Sequence, residues 1–196
     1  MTLPPILFDA HTHVLSRNAL VDIDPVGVRC GSVASRPLLR PGFLYSVGIH
    51  PWNAASVSAA DLRLLRALAA EPQVRAIGEC GLDPLRLNSG ETADRHSVIS
   101  LQTDLLRVHF ELSQQFHKPL LLHIVRAFPE IIALRRQWRP SQPWIIHGFR
   151  GKPQLARELL ANGFHLSFGL KYNPESYALT PPGRRLRETD SMFSPG

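Results

Sequence analysis

The stretch "KPLLLHIVRAFPEIIALRRQW", residues 118–138, contains one complete unit of the predicted fold. Residues 119–122 are apolar throughout, as expected of a strand that is buried on both faces of a parallel sheet. Pro129 is a residue favoured in the first turn of a helix, and a helix is predicted over 129–138. His123 stands where the strand ends. The stretch therefore predicts a strand followed by a helix, with a reactive side chain at the carboxyl end of the strand.

The same alternation of a short apolar run and a helical pattern recurs along the chain. Further strands are predicted at 6–10, 43–48, 74–78, 143–146, 164–168 and 185–189. Further helices are predicted over 58–71, 97–116 and 153–162, from their apolar spacing and their Ser, Pro and Gly boundaries. Strands that alternate with helices indicate a parallel α/β fold, either an open sheet or a barrel.

The length of the chain limits the size of such a barrel. A regular eight-stranded TIM barrel usually takes about 250 residues and rarely fewer than about 200, whereas this chain has 196. Residues 14–42 are rich in Pro, Gly, Ser and Arg, and we predict a loop there with at most one short strand at Ala19–Ile23. We therefore predict a single domain over 1–196, an abbreviated or distorted TIM-type barrel with about seven parallel strands.

The composition excludes several classes of protein. No apolar run approaches the roughly 18 residues of a membrane span, and the N-terminus lacks the basic segment of a signal peptide. Cys30 and Cys80 are too few for a disulfide framework, so we expect a cytoplasmic protein. The net charge of +6 comes mainly from arginine. Arginine favours phosphate or nucleic-acid ligands, but a solvated basic surface gives the same composition.

Metal-binding or charged side chains follow six of the predicted strands, always at the carboxyl end. In chain order they are His11, His13, His50, Glu79, Asp83, His123, Arg126, His147 and Asp190. Because the carboxyl ends of parallel strands meet at one mouth, we expect these residues to converge. Imidazole and carboxylate groups suit Zn²⁺, Mg²⁺ or Mn²⁺. Six of the nine therefore predict a divalent metal site: His11, His13, Glu79, His123, His147 and Asp190.

The joint pattern carries this prediction, because each residue alone has a simpler explanation. A single histidine or carboxylate after a strand usually forms an ordinary hydrogen bond, caps a turn or helix, or joins an ion pair. The spacing of His11 and His13 adds to the pattern. On a strand it puts both rings on one face, with their Cα atoms about 6–7 Å apart, so that both can reach one ion.

The remaining histidines are assigned other roles. His50 precedes Pro51, which indicates a rigid loop, and we expect it to position substrate rather than bind metal. The others lie in or beside helices or at a strand start, and we predict structural roles for them, with His109 on the protein surface: His96, His109, His117 and His165.

The strand-end motifs resemble, in order, the signature segments of the TatD family of metal-dependent hydrolases. The segments are "FDAHTHV", "SVGIHPW", "AIGECGLD", "LLLHIVRA", "IIHGFRG" and "RETDS", spread from residue 8 to residue 191. The resemblance implies a TIM-barrel-like fold, a divalent metal centre and magnesium-dependent deoxyribonuclease activity. The chain departs from the family pattern after its first strand, where a strand–helix unit is expected to be lost, and after "ETD". We therefore expect a short subgroup of the family.

The resemblance also implies a division of the metal ligands between two ions. His11, His13 and Asp190 are implied to bind one ion, and Glu79 is implied to be the bridging carboxylate. The second ion is implied to bind His123 and His147. The expected cofactors are thus two divalent ions, of Mg²⁺, Mn²⁺ or Zn²⁺.

The predicted function is hydrolysis of a phosphodiester, as in a deoxyribonuclease, through a metal-activated water. Glu79 and Asp190 are the candidate catalytic residues, with Asp190 as an acceptor of the proton of the water. Three residues are assigned to the substrate side: Arg126 near its phosphate, as the resemblance implies, His50 for positioning and Asp83 for orienting a ligand. The expected partner is DNA or another phosphodiester.

Two alternatives stay open at this point. One is a metallohydrolase that acts on other phosphoesters, esters or amides. The other is a metal-binding scaffold without catalysis, which the short ends of the chain favour and the intact ligand set disfavours.

Overall fold

The computed structural model describes residues 8–29, 39–87 and 94–191, in which one sheet contains eight strands in chain order. All neighbouring strands pair in parallel. The strands are β1 Asp9–Thr12, β2 Ala19–Ile23, β3 Leu44–Val47, β4 Val74–Leu82, β5 Leu120–Ile124, β6 Trp144–Ile146, β7 His165–Phe168 and β8 Arg185–Arg187. The predicted TIM-type barrel is therefore confirmed. It has eight strands rather than about seven, because the short strand that the sequence only allowed at Ala19–Ile23 is present as β2.

Hydrogen bonds between the first strand and the segment after β8 bring the two edges of the sheet together. Asp9 accepts hydrogen bonds from the backbone N–H and the hydroxyl of Thr189, with the N–H donating at 2.9 Å. Beyond it, the N–H of Asp190 donates to the carbonyl of His11 at 3.0 Å. The N–H of His13 donates to the carbonyl of residue 191, also at 3.0 Å. The sheet is thus a nearly closed barrel.

Helices follow most of the strands on the outside of the sheet. Those in the described ranges are α1 Pro25–Arg29, α2 Ala59–Ala70, α3 Arg95–Phe116, α4 Phe128–Trp138, α5 Pro153–Ala161 and α6 Pro174–Leu179, with 3-10 turns at Pro51–Ser56 and Pro182–Arg184. β2 and α1 stand where we expected the loss of a strand–helix unit, so that expectation is wrong. None of the helices in these ranges has the length and apolar character needed to cross a membrane.

The boundaries of the helices follow the local signals of the sequence. Ser58 caps α2 in a reciprocal pair of hydrogen bonds with Asp61, and α4 and α5 have proline in their first turn. The strand predicted at 6–10 lies partly outside the described residues, and β1 extends further, through His11 to Thr12. The two predicted histidines of this segment therefore lie in and just after a strand.

Two glycines let β4 run very close to β5. Gly78 and Gly81 have positive φ angles of 142° and 146°, which side chains other than glycine rarely adopt. A Cβ atom at Gly78 would overlap the carbonyl oxygen of Leu121, and one at Gly81 would overlap that of His123. This close approach places Glu79, between the two glycines, beside the end of β5.

His109 fastens α3 to the end of β3. Its Nε2 accepts a hydrogen bond from the N–H of Ile49 at 2.9 Å, and its Nδ1 therefore carries the proton that it donates to the carbonyl of Leu105, at 2.8 Å. The predicted surface position is wrong, because His109 is 0% exposed. At this buried position the ring gives the N–H of Ile49, which lies past the end of β3, its hydrogen-bond partner. Burial lowers the pKa of the imidazole to about 4.

Gln102 makes a second polar connection from the same helix. Its Oε1 accepts from the N–H of Asp83 at 2.8 Å. Its Nε2 donates to the carbonyl of Asp83 at 2.9 Å and to that of Pro51 at 3.2 Å. Gln102 is fully buried. Helix α3 therefore fixes the backbone just beyond β3 and β4, where two of the strand-end motifs lie.

Replacing His109 by leucine is expected to lower the free energy of unfolding. The N–H of Ile49 then stays buried without a partner, which costs about 1–3 kcal/mol. Because the folded pKa of His109 is about 4 and its ordinary value is 6.5, the unfolded chain takes up the proton first as pH falls. The stabilisation by neutral His109 is therefore complete above about pH 6.5 and declines toward about pH 4. Urea denaturation should show a difference between wild type and His109→Leu that shrinks over this range.

The matched control is His96→Leu, at an exposed position near the start of the same helix. It should change the free energy of unfolding by less than about 0.5 kcal/mol at both ends of this pH range. A difference between wild type and His109→Leu that does not depend on pH would contradict the assigned neutral state of His109.

Candidate metal centre

The carboxylate of Glu79 lies at the centre of the mouth, with histidines on both sides of it. Its Oε1 lies 2.7 Å from His123 Nδ1, 2.9 Å from His147 Nε2 and 3.3 Å from His50 Nε2. Its Oε2 lies 3.3 Å from His11 Nε2 and 3.9 Å from His13 Nε2. The two oxygens of one carboxylate therefore face different groups of imidazoles.

Asp190 is the second carboxylate of the cluster. Its Oδ1 lies 3.7 Å from the Nε2 atoms of both His11 and His13. Its side chain is 35% exposed, whereas that of Glu79 is 6% exposed. The hydrogen bond between its N–H and the carbonyl of His11 fixes its backbone beside β1. The cluster therefore has one carboxylate in its interior and one at its solvent edge.

The histidines and carboxylates of the cluster shift each other's pKa. Burial by itself raises the pKa of Glu79, but His147, His11 and His123 outweigh it and hold that pKa well below its usual value. Burial by itself lowers the pKa of His147 and of His123, yet nearby carboxylates raise both. The Glu79 carboxylate is thus ionised, and imidazole protons balance its charge unless a cation replaces them.

The donor atoms are arranged in a way that suits divalent cations. Three sets among the described residues each keep their donor atoms within 4.8 Å of one another: His11, His13 and Glu79; His11, His147 and Asp190; and His50, Glu79 and His123. His11 is fully buried, and neither of its ring nitrogens makes a well-formed hydrogen bond within the described residues. A buried polar group in that state costs free energy unless another species binds it. The nitrogen and oxygen donors present fit a divalent metal ion.

All six residues predicted as metal ligands converge in this cluster, and His50 joins them. The sequence suggested a role for His50 in positioning substrate. In the structure, its Nε2 points to Glu79 Oε1, and its Nδ1 accepts a hydrogen bond from the N–H of Trp52 at 3.2 Å. His50 is therefore placed as a further donor to a cation.

Asp83 lies behind His123 rather than in the open mouth. Its Oδ2 accepts a hydrogen bond from Trp52 Nε1 at 2.7 Å and lies 3.4 Å from His123 Nε2. Its residue exposure is 4%, which leaves little surface for a substrate. Asp83, predicted on the substrate side as a residue that orients a ligand, thus contacts the ring of His123, which suits the orienting role.

Arg126 lies at the rim and does not touch the cluster. It is exposed, has a positive φ of 49°, and lines a cavity of about 220 Å³ together with His147 and Arg150. Its guanidinium makes no hydrogen bond or ion pair with the described residues, and only its carbonyl has a partner, Arg95. Among the described residues, its donors are thus unpaired beside this cavity.

Asp22, on β2, supports the cluster and was missed from the sequence. Its Oδ1 accepts hydrogen bonds from the N–H of Glu79 at 2.9 Å and from the hydroxyl of Ser46 at 3.2 Å. Its Oδ2 lies 3.8 Å from His13 Nδ1. Burial, with Glu79 nearby, raises the pKa of Asp22 to about 6. Asp22 therefore holds the backbone of the central carboxylate.

Asp24 plays a similar part for His50. One of its carboxylate oxygens accepts from the N–H of His50 at 3.1 Å and from Asn53 Nδ2 at 2.8 Å. Both aspartates belong to "VDID", residues 21–24. Acidic residues at alternate positions of a predicted strand end were the available signal, but the strand itself was left open.

Glu188 is the third supporting carboxylate that the sequence reasoning passed over. It is 0% exposed, its Oε1 accepts from the N–H of Gly148 at 2.6 Å, and the same oxygen lies 3.4 Å from His147 Nδ1. It precedes Asp190 by two residues, in "RETD". We used only the last residue of that motif, although alternate positions in an extended segment face the same side.

A family model of TatD-related DNases matches residues 32–195. The chain belongs to this family. The match includes all but the first of the six motifs on which the predicted resemblance depended, so that prediction is confirmed.

Named members of the family are similar over most of this chain. The 3′-5′ ssDNA/RNA exonuclease TatD of Cronobacter turicensis is 34% identical over 76% of this chain and 57% of its own length, and that of Erwinia billingiae is 31% identical over 83% and 62%. The uncharacterised metal-dependent hydrolase YabD of Bacillus subtilis is 26% identical over 96% and 81%. The chain therefore spans less than two thirds of the length of these two exonucleases.

Solved structures of family members share the fold. YjjV, a TatD homologue from Escherichia coli, superposes with a TM-score of 0.67 at 21% identity, over 88% of this chain and 66% of its own. A TatD-family hydrolase from Entamoeba histolytica superposes with a TM-score of 0.65 at 18% identity, over 88% and 60%. At these identities the likeness establishes the barrel.

Replacing Glu188 by glutamine is expected to lower the pKa of His147. Glutamine keeps the size of the side chain and an oxygen for the N–H of Gly148, but it removes one of the two carboxylates that hold the His147 pKa well above its usual range. The pKa is measured by NMR, from the ring resonances of labelled His147 in chelator-treated protein.

Glu158→Gln removes an equal charge at an exposed position of α5 and should leave the His147 titration unchanged. Identical His147 titrations in Glu188→Gln and wild type would show that Glu188 does not raise the pKa of His147.

Proposed function

We propose that the chain is a divalent-metal-dependent phosphodiesterase that acts on nucleic acid, with residues 1–196 forming one hydrolase domain. The observation that carries the proposal is the position of Glu79, whose two oxygens face different groups of histidines. A carboxylate so placed can bridge two cations, as in enzymes that use paired metals for phosphoryl transfer. The named relatives, a metal-dependent hydrolase and exonucleases, support the same reaction.

The donors divide into two sides that would each hold an ion. On the β1 side are His11, His13 and Asp190, with Glu79 Oε2; on the other side are His123 and His147, with Glu79 Oε1. His50 adds a third imidazole to the second side. When bound, such ions polarise a phosphoryl oxygen and lower the pKa of a coordinated water. A donor set this rich in imidazole favours Zn²⁺ or Mn²⁺ over Mg²⁺.

Asp190 is the best-placed acceptor for the proton of an attacking water. Burial by itself would raise its pKa, but the histidines next to it, His13 first, lower the pKa below the usual value. It is therefore ionised, and its partial exposure gives solvent access to the proton that it takes up. Glu79 is too enclosed for that exchange, so we assign it to holding the cluster together.

The rim of the mouth is basic, which suits a phosphodiester anion. Arg126 and Arg150 line the cavity beside His147. Among ion pairs between described residues, that of Arg95 with Glu130 is the one that involves an arginine or lysine. The arginines of the described rim are therefore not neutralised by ion pairs with other described residues, which favours a polyanion such as nucleic acid as the substrate.

The replacement Glu79→Gln tests the central assignment. It keeps the volume of the side chain but removes the charge that two cations would share, so we expect hydrolysis to fall by about a hundredfold or more and bound metal to decrease. Activity is measured on a single-stranded oligonucleotide, and metal content by elemental analysis of purified protein. Circular dichroism should show an unchanged fold.

Glu158→Gln serves as the matched control because the residue is exposed on α5 and belongs to no donor set. It should keep wild-type activity and metal content. Wild-type activity in Glu79→Gln would refute the bridging role.

A substrate panel separates the proposed reaction from its alternatives. Wild-type protein supplied with Mn²⁺, Zn²⁺ or Mg²⁺ should hydrolyse bis-p-nitrophenyl phosphate and an oligonucleotide, because both contain a phosphodiester. Hydrolysis of p-nitrophenyl phosphate alone would indicate a phosphomonoesterase. Metal binding without turnover of any of the three would indicate a scaffold.

A further inference from the structure

Trp52 is a fixed aromatic side chain at the edge of the metal centre. Its ring centroid lies 4.5 Å from that of His50 and 5.9 Å from that of His123, in edge-to-face contacts. Its Nε1 donates to Asp83 at 2.7 Å. Gln102 in turn holds the backbone of Asp83. The orientation of the indole is therefore fixed through Asp83 by a residue of α3.

Arg86 lies over this indole. Its guanidinium carbon is 4.1 Å from the Trp52 ring centroid, close enough for a cation–π contact. Arg86 follows β4 in a turn that Asp83 closes by accepting the N–H of Leu85 at 3.1 Å. The guanidinium makes no hydrogen bond or ion pair within the part of the chain that the structure describes, and the residue is exposed. Trp52 thus positions an arginine whose donors have no partner among the described residues.

The position of Arg86 relative to the cluster limits what it can bind. Its guanidinium carbon is within about 9 Å of the His50 ring centroid, since each of the two lies less than 5 Å from the indole centroid. No hydrogen bond or ion pair among the described residues joins Arg86 to Glu79 or its histidines, so Arg86 stands beside, rather than among, the groups around an anion held at the cluster. A second anion next to that one is within its reach. A guanidinium with a free edge binds a phosphate oxygen pair in two parallel hydrogen bonds.

We propose that Arg86, held by Trp52, binds the phosphate next to the one that is hydrolysed. The inference rests on the proposed function and specifies its substrate as a nucleic-acid strand with at least two consecutive phosphodiesters. Trp52 is then a positioning residue, which limits the side-chain freedom that Arg86 loses on binding. A cation–π contact can hold the guanidinium without a hydrogen bond to another side chain.

The experiment compares a thymidine dinucleotide, with one phosphodiester, and a trinucleotide, with two. In wild type the trinucleotide should have the higher kcat/KM. In Arg86→Ala the ratio of the two kcat/KM values should fall by about tenfold, mainly through KM for the trinucleotide, since a lost charged hydrogen bond has that size. Arg86→Lys, which keeps the charge but not the planar fork, should give an intermediate ratio.

Arg107→Ala is the matched control. Arg107 also lies over a tryptophan, with its guanidinium carbon 4.9 Å from the Trp138 ring centroid, but Trp138 ends α4, at the far end of the barrel from the mouth. Its removal deletes the same charge and the same kind of contact and should leave the ratio at the wild-type value. An equal fall in both variants would show a general electrostatic effect and overturn the inference.

A binding measurement separates failure of this inference from failure of the proposed function. A fluorescent single-stranded oligonucleotide of about ten thymidines is titrated with protein in EDTA at several salt concentrations. Loss of one phosphate contact should reduce the slope of log K against log salt by roughly 0.7 in Arg86→Ala but not in Arg107→Ala. If wild type hydrolyses both substrates while ratio and slope are unchanged in Arg86→Ala, the inference alone is wrong. If wild type hydrolyses neither, the proposed function fails, and an unchanged slope then rejects the role of Arg86 as well.

Discussion

The architecture of the mouth depends on one buried negative charge, the carboxylate of Glu79. A buried carboxylate is tolerated only where opposite charge and hydrogen bonds compensate for lost hydration. Imidazoles supply that compensation on both of its oxygens, and Asp22 holds its N–H. The glycines on either side of Glu79 serve the same end, because they let β4 approach β5 closely enough to bring His123 to the carboxylate. The metal-binding chemistry follows from this single electrostatic requirement.

The mouth also separates charges by depth. The interior holds carboxylates, from Glu79 down to the fully buried Glu188, and attracts cations. The rim holds arginines without carboxylate partners in the described structure, such as Arg86 and Arg126, and attracts anions. An anion can therefore approach the rim first and meet the cation-attracting interior only below it. This layering gives one small barrel separate zones for anions and for cations in the same opening.

Most of the barrel, and the residues that gather around Glu79, could be predicted from the sequence for identifiable physical reasons. Continuous apolar runs mark parallel strands, and parallel strands bring their ends together, so the convergence of residues from His11 to Asp190 required no further information. β2 was only half predicted, since its alternation with Asp22 is weaker than the apolar runs of its neighbours. The role of His109 was missed because a helical pattern does not reveal which amide of another element a side chain reaches. Asp22, Asp24 and Glu188 were missed for the same reason, because they act through contacts with residues distant in sequence.

The two sides of the metal centre are fastened to different parts of the barrel. His11, His13 and Asp190 depend on the seam where Asp9 and Thr189 join the first and last strands. His50 and Asp83 depend on α3, which reaches the strand ends through His109 and Gln102. Opening of the seam and detachment of the helix are therefore separate local unfolding events. Opening of the seam would displace His11, His13 and Asp190, whereas detachment of the helix would displace His50 and Asp83, so the cluster can be loosened from either side separately.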